Sequence, residues 1–223
     1  FGGNPYEYVH GWRSYKNAIV DLPSVWDTSN VVNMSGMFAV NGWQMFTNIG
    51  NFDTSSCKHF DYMFAGLVIN GQGNENIGDE SLIVNASDDL DMNVQLAGIE
   101  NWNTSNVLTM DSMFCDPRFN YDVSSWNMSN VVSVANMFHG AKIFNQPIGS
   151  WDLSSCKSTY SMFFRATDFN NGAAVGVPSG QCFNLGTNWI QAYNMFAHCL
   201  SFNGDITHWD ARKLVHGERM FTG

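Results

Sequence analysis

An aromatic residue followed eleven positions later by a Met-Phe pair recurs seven times along the chain, the gap stretching to twelve in one copy. The aromatics are Trp26, Phe52, Trp102, Trp126, Trp151, Phe183 and Trp209. The pairs are Met37-Phe38, Met63-Phe64, Met113-Phe114, Met137-Phe138, Met162-Phe163, Met195-Phe196 and Met220-Phe221. Openings lie 26, 50, 24, 25, 32 and 26 residues apart. A period near 25 marks a stacked solenoid, in which one unit cannot shield its own apolar side chains and neighbours bury them. It overrides element-by-element reading.

Each copy has the same internal grammar. Asp27-Thr28-Ser29-Asn30 is a turn, because these side chains bond their own backbone. Val31, Met34 and Met37-Phe38 follow at helical spacing, which predicts a short helical or 3-10 turn. Ser29 recurs as Ser55, Ser105, Ser129 and Ser154, so stacking predicts a ladder of hydroxyls. Ile49, Ile99, Val123, Ile148 and Ile206 lie three residues before an aromatic, and β-branching there predicts the strand of each coil. Phe119-Asn120, Phe144-Asn145, Phe169-Asn170 and Phe202-Asn203 mark the return from the helical side. The Met-Phe pairs and Trp26, Trp102, Trp126, Trp151 and Trp209 are expected to form the core.

Residues 26–223 are therefore expected to form one solenoid of seven repeats. Residues 1–25 are either a capping unit, with Trp12, Ala18, Ile19, Val20 and Leu22 over the first coil, or a drifted repeat. Insertions interrupt the rhythm at 67–97 and 171–181. The first holds six acids and no Lys or Arg. It is a loop or a degenerate coil without Met-Phe. The chain opens at Phe1 without Met or signal peptide and stops in mid-repeat at Gly223. A processed product or a piece of a longer polypeptide is expected, with more chain or a partner against Phe221.

The formal net charge of −10 argues against nucleic acid or anionic membrane surfaces as partners. No apolar run reaches the roughly 20 residues of a membrane span. Cys57 and Cys156 occupy a position that Val31, Val107 and Val131 take elsewhere, so buried thiols are expected rather than a disulfide framework. The five cysteines form no CxxC pair, the six histidines fall at unrelated repeat positions, and no HExxH, GxSxG or phosphate-binding glycine loop is present. Neither a cofactor nor catalysis is expected. Asp88, Asp89 and Asp91 are a weak calcium candidate, lacking the glycine and distal Glu of a helix-loop-helix site. Asn85 leads the sequon asparagines as a glycosylation candidate, ahead of Asn33, Asn103 and Asn127; the last two coincide with the repeat's usual Asp.

Trp26-Asp27-Thr28-Ser29-Asn30-Val31 closing on Met34 and Met37-Phe38, with Phe144-Asn145-Gln146-Pro147-Ile148 between copies, resembles the BspA-like leucine-rich-repeat surface proteins. More narrowly it is similar to the repeat family of unknown function abundant in mycoplasma lipoproteins, which also occurs in other bacteria, algae and protists. The resemblance covers about residues 23–223 outside the insertions. Ala211-Arg212-Lys213 departs from the Ser-rich turn. The resemblance implies a leucine-rich-repeat-like solenoid on secreted or cell-surface proteins and no catalytic residues; a single right-handed solenoid of about seven coils, each with one short parallel strand and one short helical or 3-10 turn, is the expected fold. The expected function is protein or glycan recognition or adhesion at the cell surface. The alternative is a structural segment of a surface, filament or appendage assembly, docked on neighbouring subunits.

Overall fold

The computed structural model describes residues 18–21, 26–39, 44–47, 49–65, 96–115 and 119–223. Regular elements are short. Strand β1 (Ala18–Asp21) pairs in parallel with β2 (Gln44–Thr47), and β3 (Asp152–Leu153) with β4 (Asn184–Leu185). The dominant feature is a ladder of single parallel bridges through Asn33, His59, Thr109, Ser133, Ser158, Gln191 and His216. Each of these residues stands four positions before its repeat's Met, so the ladder keeps the register of the sequence repeat.

The amides after each bridge divide their work. Val134, Asn136, Phe138 and Gly140 donate to Ser158, Tyr160, Met162 and Phe164 of the next repeat at 2.7–3.0 Å. The amides between them close turns on their own repeat: Met137 bonds Val134, His139 bonds Asn136 and Ala141 bonds Phe138, at 3.0–3.2 Å. Such alternation bends the chain while leaving few backbone groups unpaired. It demands a left-handed residue before each Met: Gly36, Tyr62, Ser112, Asn136, Ser161, Asn194 and Arg219 have φ between 49 and 65°.

The β-branched residues before the aromatics do not form strands. Ile49–Asn51, Ile99–Asn101 and Ile148–Ser150 are 3-10 turns instead. Burial explains the residue choice, since Ile49, Ile99, Val123 and Ile148 are completely enclosed. The tight turn also aims their carbonyls: the indole N–H groups of Trp102, Trp126 and Trp151 donate to Ile49, Ile99 and Val123 of the preceding repeat at 2.9–3.2 Å. The expected hydroxyl ladder is likewise replaced. Ser105 and Ser129 hydroxyls bond Asn103 and Asn127 of their own turns, while Asn106, Asn130 and Ser155 side chains reach the serine carbonyls one repeat back.

Aromatic columns fill the interior. Phe38, Phe64, Phe114, Phe138, Phe163, Phe196 and Phe221 stack with centroids 5.3–5.7 Å apart. Phe119, Phe144, Phe169 and Phe202 form a second column, each ring 3.7–4.1 Å from its partner in the first. Met63, Phe64, Met113, Phe114, Met137, Phe138, Met162, Phe163, Met195, Phe196, Trp102, Trp126 and Trp151 are buried. Trp26, Met37 and Phe221 are exposed instead, at 46, 39 and 55%, and Met220 and Trp209 are half-buried. These belong to the first and last rungs of the described ladder, which have a neighbour on one side only.

The repeats on either side of the longest sequence step abut directly. Lys58 O accepts from Leu108 N at 2.8 Å, and Phe60 N donates to Thr109 O at 3.0 Å. The structure of 66–95 lies outside the described residues, as does most of the expected cap at 1–25. The second insertion is described. Asn170 Nδ2 ties it down through Ala174 and Val177 carbonyls at 3.0 and 2.8 Å, while Val175 and Val177 face solvent.

Candidate functional site

Position within the repeat decides which side chains meet. Two residues before each Met stand Ser35, Asp61, Asp111, Ala135, Tyr160, Tyr193 and Glu218. Early in this row the carboxylates serve the ladder: Asp61 accepts Thr109 Oγ1 and Asp111 N at 2.7 and 2.8 Å, and Asp111 accepts Ser133 Oγ and Ala135 N at 2.6 and 2.8 Å. Later the row turns aromatic. Tyr160 and Tyr193 stack 5.4 Å apart and 13° from parallel, with Tyr160 exposed. Arg219 Nη1 reaches the Tyr193 hydroxyl at 3.5 Å.

A second cluster follows the same Met-Phe pairs. His139 lies 4.8 Å from Phe164 between centroids, His198 meets that ring edge-on at 5.6 Å, and the Arg165 guanidinium lies over it at 5.3 Å. Arg165 and His198 take left-handed backbone, φ 60 and 59°, where the preceding repeat has Gly140 at 72°. A non-glycine residue there costs about 1 kcal/mol. Burial, and then the Arg165 charge, holds His139 down at about 4. These histidines lie far apart in sequence and converge only because 139 and 164 are each two residues past their Met, and 165 and 198 three. Counting from Met-Phe is the signal that finds them.

Charge is unevenly spread. Residues 1–141 carry fifteen acids and four bases, whereas residues 142–223 carry five acids and six bases. Three of those five acids cap their own turns: Asp152, Asp205 and Asp210 accept the N–H of Ser154, Thr207 and Arg212. Of the others, Asp168 accepts from the Thr167 hydroxyl at 3.3 Å and Glu218 faces His216 at 3.6 Å.

The remaining sequence candidates are placed as follows. Asn103 and Asn127 are exposed and their Oδ1 atoms cap the turn, accepting Ser105 N and Ser129 N at 3.1 and 3.0 Å. Asn33, also exposed, lies on the ladder and accepts Ser35 N at 2.8 Å. Asn85, Asp88, Asp89 and Asp91 lie outside the described residues. Among the described residues no group of three or more His, Cys, Asp or Glu is placed to hold a metal ion, and no helix is long and apolar enough to cross a membrane. All five cysteines are free thiols, and burial pushes Cys156, Cys182 and Cys199 up to about 12, far from nucleophilic.

The family model described as "Mycoplasma protein of unknown function, DUF285" matches residues 9–77, 83–175 and 186–223. The chain belongs to this family. DUF285 membership spans most of the chain, including every aromatic opening except Phe183 and all seven Met-Phe pairs. No curated protein and no solved structure matches the chain.

Proposed function

We propose that this DUF285 chain is an extracellular or cell-surface recognition module without catalytic activity, built as a BspA-like leucine-rich-repeat solenoid of about seven coils. The parallel bridge ladder and the register-preserving bonds between repeats support the solenoid. The observation that carries recognition is the Tyr160–Tyr193 stack, outside the core, with Phe164 and its cationic neighbours four residues on in the chain from Tyr160. Aromatic side chains left at the surface, with cations beside them, offer large contact area at low entropic cost, as binding hot spots do. A protein or glycan partner would rest there.

The test compares wild type with Tyr160→Ser/Tyr193→Ser in adhesion to cells and on a glycan array. Recognition predicts binding that the double variant loses while its melting temperature is kept. Equal binding by the variant, or no binding by either protein, contradicts it. Concentration-dependent self-association in place of binding would favour a structural segment of an assembly.

A further inference from the structure

We infer that the partner is an acidic polysaccharide, whose carboxylate or sulfate groups are held by Arg165 and Arg219 while its sugar rings pack on Tyr160, Tyr193 and Phe164. The inference rests on the recognition role proposed above and names its ligand. Complementarity of charge carries it. In a chain of net charge −10, residues 142–223 hold one more base than acids, and Asp152, Asp205 and Asp210 are engaged in their own turns. Arg165 and Arg219 stand beside aromatic rings, Arg165 over Phe164 at 5.3 Å and Arg219 against the Tyr193 hydroxyl at 3.5 Å. Guanidinium groups suit planar oxyanions because their donors form a fork that matches two oxygens. Sugar rings present C–H faces that pack on aromatic carbon, and their hydroxyls exchange hydrogen bonds with Tyr hydroxyls.

At the position that Gly140 takes in the preceding repeat, Arg165 and His198 put a guanidinium and an imidazole against Phe164. Arg165 and Arg219 belong to repeats two rungs apart and flank the Met-Phe row on opposite sides, Arg165 three residues after Met162 and Arg219 one before Met220. Two cationic groups on different repeats suit a ligand with repeated charges, as an acidic glycan has.

The experiment titrates the 223-residue chain with polygalacturonate, heparin, dextran and polyglutamate, at low and at physiological salt. Binding to either acidic polysaccharide but not to dextran is expected, and the preference between the two identifies carboxylate or sulfate as the recognised group. Arg165→Gly/Arg219→Gln should lose about ten-fold or more in affinity. Its melting temperature should hold or rise, because glycine relieves the strained turn. Arg212→Gln/Lys213→Gln, at the exposed turn of the last repeat, should bind as wild type does. Failure to bind either acidic polysaccharide overturns the inference, as does equal binding to dextran. Tighter binding to polyglutamate would overturn it in favour of an acidic protein segment. Equal losses in the two double variants would mean diffuse charge attraction and also overturn it. Tyrosine-dependent cell adhesion that survives these failures would leave the recognition role standing.

Discussion

The Asn145 side-chain oxygen accepts the backbone N–H of Asn170, one repeat further on, at 2.8 Å. The same relation joins Asn120 to Asn145 and Asn170 to Asn203, both at 2.9 Å, so the asparagines form a hydrogen-bonded ladder beside the phenylalanine columns. Asn145 also accepts Gly172 N and donates to Ala173 O, both at 2.9 Å. Asn145→Ala strands the N–H of buried Asn170 and the carbonyl of half-buried Ala173 and should cost about 1–3 kcal/mol. Urea denaturation measures it, and a loss below about 0.5 kcal/mol would contradict the ladder's role.

Phe138 stacks between Phe114 and Phe163 and touches Phe144, with no exposed surface. Phe138→Ala should cost about 3–5 kcal/mol. Phe221, exposed at 55% on the last described rung, should cost less than about 1 kcal/mol when truncated. Equal losses at the two sites would contradict the burial gradient along the column.

Acid should weaken the fold in two stages. His139 is held near 4 against an ordinary 6.5, by burial first and the Arg165 charge second. Below about 6.5 the unfolded chain takes up a proton that the folded ring refuses, so the stability is full above that pH and lost as pH falls towards 4. The expected loss is on the order of 1–2 kcal/mol, discounted because the ring is half-buried. His139→Phe should flatten this window. The second stage comes from turn carboxylates such as Asp27 and Asp53, which hydrogen bonds from the Ser29 and Ser55 hydroxyls and N–H groups hold below 3.8. Their contribution is present above 3.8 and lost as pH falls further. Urea midpoints against pH that are identical for wild type and His139→Phe would contradict the first stage.

Gly50 and Gly98 meet across the long sequence step. A Cβ on Gly50 would lie 2.6 Å from the Gly98 Cα, a backbone contact with nowhere to move. Gly50→Ala should therefore cost about 1–3 kcal/mol by overpacking. A neutral outcome in thermal denaturation would mean that the repeats of Phe52 and Trp102 are not direct neighbours.

The repeat period, the inner Met-Phe pairs and the Asx turns after six of the seven aromatics were legible because each depends on side-chain chemistry that recurs in place. The strand was not. Ile99 carries the β-branched signature yet sits in a 3-10 turn, because its side chain answers to burial and its carbonyl to Trp126. The ladder runs through Asn33, His59, Thr109 and Ser133, a set with no shared propensity, since only their backbones pair. Trp189 carries no repeat signal either: it takes the position that Val107 and Val131 hold in other repeats, and is buried with its N–H on Thr159 Oγ1 at 2.8 Å. The aromatic and cationic cluster was hidden because His139, Phe164 and His198 share no motif and meet only once the repeats are aligned on their Met-Phe pairs.

Register between neighbouring repeats is the foundation of every contact above, and a metal clamp tests it most directly. Ser133 and Ser158 are bridge partners, whereas Ser133 and Gln191 are two rungs apart, about 10 Å. Ser133→His/Ser158→His should gain several degrees of melting temperature with added Ni(II), because the folded state alone presents the paired imidazoles. Each single variant and Ser133→His/Gln191→His should gain little. A gain for the Ser133/Gln191 pair equal to that for Ser133/Ser158, or no gain for either, would contradict the in-register ladder.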